Sequence, residues 1–73
     1  MNEANLEECL VERGIYKHKR GVLYELSAVA RNYNDCNQKM VVYKSLESSD
    51  FPKGTVWVRP LTEFTTPGRF KKI

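Results

Sequence analysis

Gly54-Thr55-Val56-Trp57-Val58-Arg59-Pro60-Leu61 is the stretch that decides the fold. Val56 and Val58 flank Trp57 in strict alternation, which predicts a strand over Thr55–Arg59. Pro60 carries no amide donor and confines Arg59 to extended geometry, so the ladder stops there. Leu61-Thr62-Glu63-Phe64 then suits a single helical turn, with Leu61 and Phe64 packed inward. If the two valines face the core, Trp57 and Arg59 face out.

Working backwards, Ser48-Ser49-Asp50-Phe51-Pro52-Lys53-Gly54 is a connector. Met40–Leu46 is a strand whose β-formers are Val41, Val42 and Tyr43. Asn32-Tyr33-Asn34-Asp35-Cys36-Asn37 has turn composition and predicts a hairpin. Val22–Arg31 is the longest strand. Its set Val22, Tyr24, Leu26, Ala28 and Ala30 is assigned to the core, with the alanines permitting tight curvature. Gly14–Gly21 is a short strand running into a basic turn. Working forwards, Thr65-Thr66-Pro67-Gly68 turns the chain, Arg69-Phe70 returns as a closing strand, and Lys71-Lys72-Ile73 is a basic tail. Several short strands and tight turns predict a mainly β fold. We expect a small SH3-like barrel of four to five short antiparallel strands.

Residues 1–13 read differently. Asn5 can cap a short helix with Glu8 as its capping-box partner, and Leu6, Cys9, Leu10 and Arg13 follow at helical spacing up to Gly14. So short a helix is stable only when docked, here through Leu6 and Leu10. The expected organisation is an N-terminal helix over 1–13 on a single β domain over 14–73.

Charge separates the same two parts. Residues 1–13 hold four glutamates and one arginine, net −3, while 14–73 hold eleven basic and five acidic side chains, net +6. A basic domain favours polyanionic partners. At 73 residues the chain buries only ~60% of its unfolded surface, so its core is thin. No apolar run approaches the ~20 residues of a membrane span. Met1-Asn2-Glu3-Ala4-Asn5 is acidic and polar, unlike a secretory leader, so a cytoplasmic location is expected. Cys9 and Cys36 stand in no recognised spacing and read first as reduced thiols, with a bridge as the alternative.

Catalytic signals are few. His18, the single histidine, lies between Lys17 and Lys19 with no carboxylate close in sequence to orient it. No nucleophile motif, Gly-rich phosphate loop or metal-ligand spacing occurs, so neither an enzyme, a cofactor nor a metal is expected. Binding signals are stronger. Alternation puts Tyr16 with His18 on one face of the first strand and Trp57 with Arg59 on one face of the fourth. Tyr43 can join them, with Lys17, Lys19, Arg20 and Arg69 at the rim. Rings interleaved with cations suit stacked bases and phosphates, so single-stranded RNA or DNA is the first partner class. A protein-interaction module recognising a peptide is the alternative. Trp57 keeps a second reading as a core residue, and Arg59 one as an ion-pair partner of Glu25 or Glu63.

These residues also carry a resemblance. Gly14-Ile15-Tyr16-Lys17-His18 with Gly21 and Tyr24, the Val42-Tyr43-Lys44 strand, Trp57-Val58-Arg59-Pro60-Leu61 with Phe64, and the closing Arg69-Phe70 resemble the domain of unknown function 1653 family. The tryptophan block is the specific part, and the match spans roughly Gly14 to Phe70. The resemblance implies a compact β domain of bacterial or phage type with no established activity. The family usually has a histidine and a small acidic cluster where Arg31-Asn32-Tyr33-Asn34-Asp35 stands here, and the N-terminal helix is an addition to its pattern.

Overall fold

The computed structural model describes residues 10–73. Five strands, β1 (Ile15–His18), β2 (Leu23–Asn32), β3 (Asp35–Ser45), β4 (Val56–Pro60) and β5 (Phe70–Lys72), form one antiparallel sheet in the order β4-β3-β2-β1-β5. One helical turn, α1 (Leu61–Phe64), joins β4 to β5. No helix among the described residues is long and apolar enough to cross a membrane.

The fold is mainly β, as expected, but the ladder does not close into the expected SH3-like barrel. β4 and β5 remain its two edges. The sheet is nonetheless strongly curled. Tyr43 on β3 and Phe70 on β5 lie three strand spacings apart along the sheet, about 14 Å if it were flat. Their ring centroids are 5.6 Å apart. Arg59 on β4 is four spacings from β5, about 19 Å flat, yet its guanidinium carbon lies 6.0 Å from the Phe70 centroid. Side chains thus meet across the concave face where backbone hydrogen bonds do not.

α1 fills one end of that concavity. Pro60 precedes it with φ −54°, and no side chain caps its N-terminus. At its end, the Thr65 amide and hydroxyl both donate to the Leu61 carbonyl, at 3.0 and 2.8 Å. A single turn has no stability of its own. Burial of Leu61 and Phe64, at i and i+3, holds it in place. Around them lie the other buried core residues Tyr16, Leu26, Val41 and Tyr43, with Leu10, Tyr24, Trp57 and Phe70 packed against the cluster. Phe64 stacks on Phe70 at 4.1 Å and meets Tyr16 edge-on at 5.5 Å.

Of two facings read from alternation, one left open is decided and the other is overturned. The first concerns β4. Val56 and Val58 are 61% and 58% exposed, while Trp57 and Arg59 are half-buried on the concave side. Register explains this: Trp57 pairs with buried Tyr43 and Arg59 with buried Val41, and paired residues share a face. The second concerns β2. Leu26 pairs with Tyr43 but Ala28 pairs with Val42, so Ser27 is an extra residue in the strand. The bulge shifts the face by one residue. Ala28 and Ala30 therefore stand exposed, and Val29 takes the core side opposite Val41.

Boundaries move as well. Residues 33–34 alone turn the hairpin, since Asn32 pairs with Asp35, and Cys36 and Asn37 belong to β3. Lys71 and Lys72 are not a free tail but pair with Lys17 and Tyr16. The predicted N-terminal helix lies, from Met1 to Cys9, outside the described residues. The described end of that segment is not helical: Glu12-Arg13 form a turn. The left-handed position stands on Arg13, at φ 63°, and not on Gly14. Gly14 is needed for closeness, because a Cβ there would stand 2.8 Å from the Val11 carbonyl oxygen and 2.9 Å from the Lys72 side chain.

This packing separates two substitutions that the sequence pattern, with Leu61 and Val58 both turned inward, would rank alike. Leu61→Ala should cost about 2–5 kcal/mol. Val58→Thr should stay within about 0.5 kcal/mol of wild type. Urea unfolding of the two variants checks the order.

Candidate functional site

The concavity left open beside α1 is a cavity of about 460 Å³. That volume lies within the ~300–1,000 Å³ range of small-ligand pockets. Its construction starts at the β1–β2 turn. Gly21, at φ 103°, lets the chain reverse, with its amide donating to the His18 carbonyl at 2.7 Å. The Lys19 amide donates to the Arg69 carbonyl at 2.9 Å, which ties this turn to the start of β5. Lys19, Arg20 and Arg69 are thereby gathered at one end of the cavity.

The opposite wall comes from β4 and the loop before it. Trp57 donates its indole N–H to the Ser45 hydroxyl at 3.0 Å, fixing the ring, and Phe51 meets it edge-on at 4.9 Å. Between the two ends lie Tyr24, Tyr43 and Phe70, each ring edge-on to the other two at 5.2–5.9 Å. Arg59 spans them. Its Nε donates to the Tyr43 hydroxyl at 3.3 Å. The sequence offered Glu25 and Glu63 as its ion-pair partners, and neither takes that role: Glu25 pairs with Lys44 at 3.3 Å and Glu63 with Arg69 at 3.8 Å. Among the described residues Arg59 is a half-buried cation without a carboxylate. A cation taken partly out of water gains from a counter-charge.

His18 reports the resulting field. Its pKa lies below the ordinary 6.5, first through burial and then through the charges of Arg59, Arg20, Lys19 and Arg69. Its Nδ1 accepts the Arg20 amide at 3.1 Å, so the neutral ring carries its proton on Nε2, the nitrogen left for a ligand. Phe70 packs edge-on against it at 4.9 Å. Tyr24 is shifted upward by burial and by Tyr43, against an opposing effect of Arg59.

Seven of the nine residues singled out from the sequence therefore line one cavity: His18, Lys19, Arg20, Tyr43, Trp57, Arg59 and Arg69. Two do not. Tyr16 shares the face of His18 but is closed under Phe64, its hydroxyl accepting the Val11 amide at 2.9 Å. Lys17 alternates to the other face, exposed between Leu23 and Lys71. Tyr43 also differs from a stacking platform, since it is only 5% exposed and forms the cavity floor. Sequence reasoning missed Tyr24 and Phe70, which it had placed in the core and the closing strand. It also missed Ser49, Asp50 and Phe51. An isolated phenylalanine in an otherwise polar connector was the available signal for that loop.

Fold and site together define a small, mainly β protein with one curled antiparallel sheet and a cationic, ring-lined hollow on its concave side. The family model described as Protein of unknown function (DUF1653) matches residues 14–71, and the chain belongs to that family. No curated protein and no solved structure matches it significantly.

The electrostatics of the hollow predict a pH dependence. Because the folded chain holds His18 below 6.5, the unfolded chain takes up this proton first as pH falls. Stability should therefore fall as pH drops through the ordinary histidine range, and His18→Gln should flatten that part of the profile. Urea unfolding between about pH 7.5 and about pH 5.5 checks the sign. An NMR titration of the His18 ring should give a midpoint under 6.5.

Proposed function

We propose that this chain is a non-catalytic binding module whose concave pocket takes single-stranded nucleic acid. The observation that carries the reading is Arg59: a half-buried guanidinium without a carboxylate among the described residues, set among rings and beside Lys19, Arg20 and Arg69. Phosphate supplies the missing negative charge and accepts from several of these donors at once. The rings supply the second requirement. Phe51 is 51% exposed and Trp57 half-buried beside it, so a base has an aromatic wall to stack on. The pocket is concave and small, which favours one nucleotide held in depth over a run of bases on a flat platform.

The non-catalytic part of the reading rests on His18, the one imidazole. Its Nδ1 takes a backbone amide rather than a carboxylate, and burial, together with the surrounding cations, disfavours the protonated state a general acid needs.

A second reading, recognition of an extended peptide of a partner protein, has its own support. β4 is an edge strand with Val56 and Val58 exposed beside it, the arrangement to which a further strand can be added.

Amide chemical-shift titration with short mixed-sequence RNA and DNA, at low and moderate salt, separates the two. Under the nucleic-acid reading shifts cluster on His18–Arg20, Phe51, Trp57 and Arg59, and affinity falls steeply with salt. Arg59→Gln should weaken binding about tenfold or more. Phe51→Ala, at an exposed position, should leave the fold intact and weaken binding about fivefold or more. No shifts at low salt would end this reading, and salt-insensitive shifts with a peptide along Val56–Pro60 would establish the second.

A further inference from the structure

We propose that the pocket selects a guanine nucleotide, with Asp50 as the residue that reads the base; this rests on the nucleic-acid reading above. The pocket is chemically polarised. From the β1 and β5 side of the sheet it presents Lys19, Arg20 and Arg69, the two turns held together by the bond between the Lys19 amide and the Arg69 carbonyl at 2.9 Å. From the β4 side it presents Phe51 edge-on to Trp57, and Asp50 next to Phe51, while the Arg59 guanidinium of the same strand reaches across to Phe70 and so joins the cationic end. A nucleotide matches this in one orientation. Its phosphate lies at the cationic end, its base lies against Phe51 and Trp57, and the outer edge of the base reaches Asp50.

Asp50 is the one carboxylate among the residues lining the pocket. It forms no ion pair with another described residue, although four cations line the same hollow. Its oxygens are therefore acceptors available to a ligand. A carboxylate discriminates among bases by the pattern of donors along one edge. Guanine offers N1–H and N2–H side by side, so both oxygens can accept at once. Adenine sets its single amino group beside the acceptor N1, and cytosine sets its own beside N3. Uracil and thymine have N3–H between two carbonyls. Each of these places at least one lone pair against the carboxylate, and only guanine leaves no such conflict. A bidentate pair of this kind discriminates about fivefold or more against the wrong base.

The test uses the full chain, titrated with the 5′-monophosphates of guanosine, adenosine, cytidine and uridine, with guanosine itself, and with a mixed-sequence single strand. The expected result is that the guanosine monophosphate binds about fivefold or more tighter than the other three. Guanosine without phosphate should bind more weakly than its monophosphate. Asp50→Asn, in an exposed loop, should bring the guanosine monophosphate to the level of the adenosine one while leaving the latter's affinity within about twofold. Equal affinities for the four nucleotides, or a guanine preference that survives Asp50→Asn, would overturn the assignment. Binding of the mixed strand in that case leaves the nucleic-acid reading standing. Absence of binding by strand and nucleotides alike overturns both.

Discussion

Contact between side chains of the two edge strands is what the rest of this molecule depends on. Phe70 on β5 touches Tyr24, Tyr43 and Phe64, and lies under the Arg59 guanidinium of β4. Tyr24, Tyr43 and Arg59 come from strands that a flat sheet would hold far from β5. Their meeting bends the sheet, and the bend creates both a core and a hollow. Edge-on ring pairs give such a cluster direction as well as apolar burial, since each contributes roughly 0.5–1.5 kcal/mol beyond area. In so small a chain that is a large part of the net stability.

Core and hollow divide the same concave face. Where α1 covers it, Tyr16, Leu26, Leu61 and Phe64 are sealed. Where no described residue covers it, Tyr24, Trp57, His18 and Arg59 line the cavity. Tyr43 belongs to both, buried under Phe64 with its hydroxyl oxygen accepting from the Arg59 Nε. The rings Tyr24, Tyr43, Trp57 and Phe70, with His18 and Arg59, stand on strands, while Lys19, Arg20, Arg69 and the segment around Phe51 come from turns and a loop. Its positive field follows from topology. Arg59 arrives from β4, Lys19 and Arg20 from a turn, and Arg69 from the approach to β5, and the curl brings their charges onto His18.

Registry decides which residues take part. One extra residue at Ser27 sends Ala28 and Ala30 to the solvent and turns Val29 inward. Pairing of Trp57 with Tyr43 places Trp57 and Arg59 on the inside and leaves Val56 and Val58 outside. A strand with valines on one side and a tryptophan and an arginine on the other is ambiguous in isolation. Both sides carry apolar surface, and the aliphatic stem of arginine packs well against rings. Only the partner strand removes the ambiguity.

The strands themselves were legible in the chain, because alternation, β-branched residues and the stop at Pro60 are local properties. So were the membership of Gly14 to Phe70 in one family and, in the hollow, His18, the four cations and the rings of Tyr43 and Trp57. What the sequence by itself could not determine is which of two faces each strand turns inward, whether the edges close, and which loop completes the pocket. A bulge at Ser27 leaves no mark in composition, and Asp50 and Phe51 reach the site only because the sheet curls toward them. Local pattern sets conformation residue by residue, whereas facing and curvature are set by pairing register and by contacts between β3, β4 and β5, which exist only once the sheet has formed.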